Sequence, residues 1–578
     1  MFKALACDYD GTLASENRIG AEALAALSRA REAGLRLVLV TGRTFFELLR
    51  VCDRLDLFDA VVAENGGVLY YPEPGLVRDQ APPPSPRLLA ELDRRGIAFQ
   101  MGRVIVGVAR TDEEAVQEVL AATGVNLEII YNRAALMLVP PGISKGTGVR
   151  QMISDLGLSF HDVLALGDAE NDIDLFEVCG WAGCPENAVP ALVDRADWRF
   201  PGEDGAGIAQ AIVGPILDGR LPIARSPRHR IALGWAVGTS EPVGIPARGV
   251  NVLIQGDRLS GKSWLAGGLI ERLRGQRYAV CVIDPEGDFH VLARLPGVSR
   301  MEIREEATME RALAYFERDP AACVVADLST LPHAKKVRII GTGLARVRRL
   351  RRRLGLPHWV VLDEAHYSLH REGVSDEAIG LEDKGLCLVT YKPRWLSASV
   401  LKAMDVFLLS RTTVPEELAF LRSYLGGSFA SGGGAIAVLP QLPRGEFLLI
   451  QAEGTNGRTA ITFAPSPRET PHVRHQAKYA DSPVSPERHF FFRSPDGRAV
   501  AAAGSLSEFR RAVAAVEDDV LAHHAERGDF SRWLLDVFND YDLGGYLRKI
   551  ERRWSRGEIS NLRQAIERLI AARYGADR

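Results

Sequence analysis

The chain has 578 residues, 46% of them apolar and 25% charged, with a formal net charge of -3. At roughly 150 residues per domain that length predicts three or four cores, and the near balance of charge excludes a global attraction for nucleic acid while leaving room for a local patch or ring. No apolar run reaches the ~20 residues of a membrane span, no basic-then-apolar leader opens the chain, and seven scattered cysteines without metal-type pairing predict buried, reduced thiols in a cytoplasmic protein.

In chain order, four apolar runs end in polar residues: FKALACDYDGT (2–12), LRLVLVTGR (35–43), AVVAENGG (60–67) and DVLALGDAEND (162–172). Helix-like segments such as AEALAALSRAREAG (21–34) separate several of them, which predicts an α/β unit with a parallel sheet. The carboxyl ends of neighbouring parallel strands converge, so Asp8, Asp10, Thr41, Asn65, Asp168 and Asp172 are expected around one crevice. Carboxylates packed this densely repel one another unless a hard divalent cation such as Mg2+ joins them. Lys145, in GISKGTG, would add a positive charge suited to a phosphate.

DYDGT, VTGR, SKG and GDAEND, in this order and spacing, resemble the four motifs of haloacid-dehalogenase-type (HAD) phosphatases over about residues 1–215. The resemblance implies a Rossmann-like core at 1–81 and 141–215, in which Asp8 is the nucleophile that forms an aspartyl-phosphate and Asp10 is the acid and then the base. It implies that Thr41 and Lys145 hold the phosphoryl oxygens, and that Asp8, the Asp10 carbonyl and Asp168 ligate Mg2+ with Asp172 and Asn171 in support. Residues 82–140 read as helix, two strands, helix, two strands, a small α+β cap. Its position resembles the type-II caps of the sucrose-phosphatase and phosphoglycolate-phosphatase branch, and a roof over the crevice points to a small phosphorylated substrate.

The pattern restarts with GVNVLIQGDRLSGKSWLAGGLIERL (249–273), where Gly256, Gly261, Lys262 and Ser263 fit G-x-x-x-x-G-K-[ST] between an apolar strand and a helix. Main-chain N–H groups would cradle the phosphates of ATP, Lys262 would bridge them and Ser263 would ligate Mg2+. In HWVVLDEAH, Asp363 would support the metal and Glu364 polarise a water, which predicts ATP hydrolysis rather than kinase chemistry. Together with IDPEGDF and LVTYKPRWLS…LLSRTT, these motifs resemble the HerA/FtsK branch of RecA-like P-loop ATPases, hexameric motors that commonly move DNA, over 222–475. That resemblance implies a homo-oligomer, a hexamer being one form, with Thr390 sensing the γ-phosphate. Arg411 is either a trans-acting arginine or a surface one, and Tyr391 replaces the glutamine common in the family.

The arginine-rich run 345–355 would, as a helix, either contact a nucleic-acid backbone or form a solvated face. Residues 485–578 read as a small helical domain, with Ser505 and Glu508 as a capping box. Two readings follow: a phosphomonoesterase joined to an oligomeric ATPase, or a nucleic-acid translocase or defence-type assembly whose first unit processes nucleic-acid ends or nucleotides.

Overall fold

A computed structural model describes residues 2–132, 135–221, 229–370, 380–425, 433–453, 457–470, 484, 488–537 and 541–574. The connector 222–228 and all but residue 484 of the stretch 471–487 therefore lie outside the described residues.

The first four apolar runs are strands because both of their faces are covered, as in other parallel sheets. Leu5, Cys7, Leu37 and Leu39 pack on one face against Ala26, Leu27 and Ala30 of the helix Ala21–Glu32. Ala4, Ala6, Val38 and Val40 point the other way, onto Val149, Met152 and Ile153 of the helix Lys145–Asp155. The sheet runs, edge to edge, Trp198–Arg199, Trp181–Cys184, Val163–Leu166, Ala4–Asp8, Arg36–Val40 and Ala60–Ala63, all parallel. An antiparallel hairpin, Val68–Tyr71 with Leu76–Asp79, then extends it.

The insertion is an antiparallel sheet in the order Glu128–Asn132, Ala135–Val139, Val106–Ala109, Phe99–Met101. Helices Pro86–Arg94 and Glu113–Thr123 cover it, with Leu88, Leu92, Val116 and Val119 facing Val106, Val108 and Leu138.

A second, eleven-stranded sheet holds seven parallel strands and four antiparallel ones at one edge. Its spatial order departs from chain order. The strand between Val252–Gln255 and Trp359–Leu362 is Leu386–Thr390, not either of the strands Val280–Asp284 and Cys323–Asp327 that separate them along the chain. The two α/β units meet through buried polar groups: the His161 ring stacks 3.7 Å from that of Tyr278, and Arg248 donates to Asp162 Oδ1 at 2.8 Å.

Two expectations need correction. The C-terminal segment is not wholly helical, because Phe490–Arg493 and Ala499–Ala503 pair as a hairpin before the five helices. The sequence PDG between them is a turn signal, and Gly497 takes φ 89° there. The arginine-rich helix His333–Leu354 is neither a free basic face nor wholly solvated. Arg351 is half-buried and donates to the carbonyls of Pro357, His358, Lys384 and Gly385, while Arg346 and Arg353 pair with Glu306 and Glu317. All seven cysteines are buried, and no described helix is long and apolar enough to cross a membrane.

Candidate functional site

Asp8 ends its strand and Asp168 lies just beyond Val163–Leu166, so adjacent parallel strands deliver both carboxylates to one end of the sheet. Asp8, Asp168 and Asp172 are 3%, 0% and 0% exposed, and each offers an oxygen within 4.8 Å of the others. Lys145, the first residue of its helix, reaches in from a third segment, with Nζ 2.5 Å from Asp8 Oδ1 and 2.7 Å from Asp172 Oδ1. Asp172 Oδ2 accepts from the N–H groups of Asp168 and Ala169, each at 3.0 Å, which fixes the loop, and Thr12 donates to Asp168 Oδ1 at 2.9 Å. Gly11 is required: its φ is +72°, and a Cβ there would lie 2.5 Å from Asp168 Oδ2.

Burial, and then the neighbouring Asp172, push the Asp8 carboxyl well above the usual carboxylate range; Asp168 adds to the rise and Lys145 opposes it. Burial favours the neutral form of Lys145, but Asp172 and Asp8 outweigh it and hold the ammonium above its ordinary value. Three carboxyl groups thus share a desolvated place with one ammonium, which pairs with two of them. Hard oxygen ligands at this spacing fit a divalent cation of the magnesium type.

Thr41 is fully buried beside this cluster, and its hydroxyl accepts from the Arg43 N–H at 3.1 Å. Asp10 is not part of the buried group: both of its oxygens are held by Arg43, Nε to Oδ2 at 2.7 Å and Nη2 to Oδ1 at 2.5 Å. Asn65 accepts from Asn171 at 3.0 Å, which ties the third strand end to the fourth. Sequence reasoning passed over Arg43 and Glu64. Arg43 stands in plain view as the arginine of VTGR, but its pairing with Asp10 does not; Glu64 has the appearance of an ordinary strand-end acid.

The phosphate-loop motif lies between the strand Val252–Gln255 and the helix Lys262–Gly275. Gly256 and Gly261 take φ 159° and 101°, and a Cβ on Gly256 would meet Ser410 Oγ at 1.7 Å. Lys262 is turned onto its own loop, donating to the Asp257 carbonyl at 2.6 Å, and Ser263 donates to Asp288 Oδ2 at 3.0 Å. Asp288, the last acid of IDPEGDF, is a further residue that sequence reasoning missed. Asp363, Glu364 and Thr390 are buried, and Thr390 Oγ1 lies 3.0 Å from His366 Nδ1 and accepts from the Lys392 N–H at 3.0 Å. Arg411 is exposed, but its main-chain carbonyl accepts from Asp257 N–H at 3.0 Å, so it starts beside its own phosphate loop.

A doubly wound α/β core with buried carboxylates and a lysine at its strand ends, beneath an α+β insertion, defines a capped Rossmann-like enzyme unit. Over this unit the chain belongs to the haloacid dehalogenase-like hydrolases, a family that matches residues 5–83 and 104–212. It is 29% identical over 225 residues to the phosphoglycolate phosphatase of Methanothermobacter thermautotrophicus, covering 36% of this chain and 97% of that one. To the phosphoglycolate phosphatase of Haloarcula marismortui it is 30% identical over 220 residues, covering 36% and 95%. A solved haloacid dehalogenase-like hydrolase of Bacteroides thetaiotaomicron aligns over 37% of this chain and 99% of its own, with 20% identity and a TM-score of 0.34.

Proposed function

We propose that residues 1–215 form a Mg2+-dependent phosphomonoesterase for a small phosphorylated metabolite, joined to a nucleotide-hydrolysing unit in residues 222–475. The observation that carries the first half is the buried Asp8–Lys145–Asp172–Asp168 cluster. Asp8 Oδ attacks phosphorus and the bond to the leaving oxygen breaks, giving an aspartyl-phosphate; Asp10 delivers the proton to that oxygen and then takes one from the water that cleaves the acyl-phosphate. Because Arg43 holds both Asp10 oxygens, this ion pair loosens as substrate enters. Lys145 and the Thr41 hydroxyl bind phosphoryl oxygens and neutralise their charge. Asp8, Asp168 and the Asp10 carbonyl, with Asp172 behind them, would hold Mg2+, which supplies further charge neutralisation when bound. Phosphoglycolate, named for the relatives, heads the substrate panel.

The second half rests on the strand–loop–helix context of Gly256–Ser263 and on the Ser263–Asp288 contact, a hydroxyl and a carboxylate placed together where a nucleotide's metal would sit. In this reading Lys262 and the loop N–H groups bind the triphosphate of ATP, Asp363 supports the metal, Glu364 orients water and Thr390 lies near the γ-phosphate. Arg411 serves a neighbouring copy if the unit assembles into a ring. One experiment tests both halves: hydrolysis of p-nitrophenyl phosphate, phosphoglycolate and ATP with and without Mg2+, in wild type, Asp8→Asn and Lys262→Ala. Asp8→Asn abolishes monoester hydrolysis alone and Lys262→Ala abolishes ATP hydrolysis alone; monoester turnover by Asp8→Asn at the wild-type rate refutes the nucleophile. Adding DNA or RNA to the ATPase assay distinguishes the translocase reading, which requires stimulation.

A further inference from the structure

Glu64 is 0% exposed, follows the core strand Ala60–Ala63, and is a carboxylate to which the chemistry above gives no role. Its Oε1 accepts from the N–H groups of Phe45 at 3.0 Å and Arg103 at 2.9 Å; its Oε2 accepts from those of Val104 at 2.8 Å and Ile105 at 3.1 Å. Three of these four donors belong to the cap, in the turn that joins its strands Phe99–Met101 and Val106–Ala109. That turn is closed by Gly102 N–H to the Ile105 carbonyl at 2.9 Å. Val104 and Ile105, 2% and 1% exposed, are buried with core residues Phe45 and Val68.

The main chain of the same residue points the other way. Glu64 N–H donates to the Arg43 carbonyl at 3.0 Å and Asn65 N–H to the Thr41 carbonyl at 3.1 Å. A cap turn, a buried carboxylate and the loop carrying Thr41 and Arg43 therefore form one hydrogen-bonded unit. A parallel path runs alongside: Gln100 of the cap donates to Glu47 at 3.1 Å, Glu47 pairs with Arg43 at 2.7 Å, and Arg43 holds Asp10.

We infer that Glu64 is a positioning and specificity-determining residue: it clasps the cap turn 102–105 onto the core, so that the wall facing the substrate's leaving group is held in register with Thr41, Arg43 and Asp10. This rests on the phosphatase reading. A carboxylate accepting four N–H bonds in a dry place is a strong, directional tether, and each donor it releases would be left buried and unsatisfied. The cap is thus a fixed wall at this turn rather than a free lid.

Two variants test it. Glu64→Gln keeps one acceptor oxygen but turns an NH2 group toward two N–H donors. Gly102→Ala keeps Glu64 and every catalytic residue, but its Cβ would lie 2.5 Å from Glu64 Oε2, which forces the turn and the carboxylate apart. Both should raise hydrogen exchange at Arg103–Ile105. Both should also lower the ratio of kcat/KM between the best and worst members of a phosphate-monoester panel by about tenfold, mainly through KM of the best substrate. Gly102→Ala should hydrolyse p-nitrophenyl phosphate within about threefold of wild type, because that probe makes little use of a shaped wall. A merely structural role would lower all substrates together and leave the ratio unchanged. If Glu64→Gln does not fold, Gly102→Ala carries the test. The proposal is overturned if wild type discriminates within the panel and Gly102→Ala keeps both the ranking and the protection of 103–105. A wild type inactive on every monoester defeats the phosphatase reading and this inference with it, whereas a changed ranking with Asp8→Asn fully active defeats only the assignment of the nucleophile.

Discussion

Asp162→Asn should destabilise the first unit by about 2.6 kcal/mol at neutral pH. Asp162 is 1% exposed at the contact between the two α/β units, with Arg248 Nη2 at 2.8 Å and His358 Nε2 at 3.3 Å. Burial pushes its carboxyl up, but His358 and Arg248 outweigh burial and hold it at about 2. The unfolded carboxyl titrates near ~3.9, so the difference of roughly two units, at ~1.4 kcal/mol each, gives that figure. The folded value is the depressed one. The stabilisation is therefore present in full above the unfolded value and is lost as pH falls from about 4 through about 2. Asparagine keeps the shape and removes the charge, leaving Arg248 without its buried partner. For a unit of about 200 residues, ~2.6 kcal/mol corresponds to an unfolding temperature lower by roughly 5–10 °C. Calorimetry of wild type and variant at pH 7, 5, 4 and 3 measures the gap, which should be largest at pH 7 and 5 and shrink below pH 4. Asp162→Asn as stable as wild type at pH 7, or a gap unchanged down to pH 3, would show that desolvation of the ion pair cancels its attraction.

Gly11→Ala should weaken Mg2+ activation by about 10- to 100-fold, since its Cβ would displace the Asp168 carboxylate; titration of phosphatase activity against Mg2+ measures this, and an unchanged midpoint counts against Asp168 as a ligand. Burial, with Arg258 adding to it, lowers Lys392 to about 8, and Arg258 and Lys392 both face the ring of Tyr391 next to the phosphate loop. A bound triphosphate should raise that value, so ATP binding at pH 8 should take up protons, seen by calorimetry in buffers of different ionisation enthalpy; zero uptake refutes a phosphate near Lys392. Glu364→Gln should retain bound ATP and accumulate a ring, while Lys262→Ala should not assemble. Light scattering with ATP and Mg2+ decides this, and monomers in both variants would leave the unit acting within one chain.

Asp8, Thr41, Asp168 and Asp172 were legible in sequence because each sits at or just past the end of an apolar run, whereas Lys145, which opens a helix, was legible only through its motif SKG. A parallel sheet buried on both faces brings those stops to one end whatever the loops do. Asp8, Thr41, Lys145, Asp168 and Asp172 needed only that rule and the order of the motifs. The strand–loop–helix context of residues 256–263 was legible for a similar reason, since the glycines, lysine and serine lie close together and the strand and helix flank them directly. The hairpin at Phe490–Ala503 was missed because the longer helical periodicity after it outweighed the short turn signal PDG.

What the sequence determined by itself was therefore local: which runs are strands, where they end, and which reactive groups stand at those ends. The tertiary structure decided the partners. That Arg43 holds Asp10, that Glu64 gathers cap amides, that Ser263 meets Asp288 and that Leu386–Thr390 slips between the two motif strands are contacts between segments far apart along the chain. Periodicity carries no record of them, because a side-chain acceptor takes main-chain N–H donors of any residue type but proline, and strand order is set by how the helices cover the sheet. Arg351 makes the same point: its charge was plain in the sequence, but that it donates to four carbonyls in the loops before two strands was not.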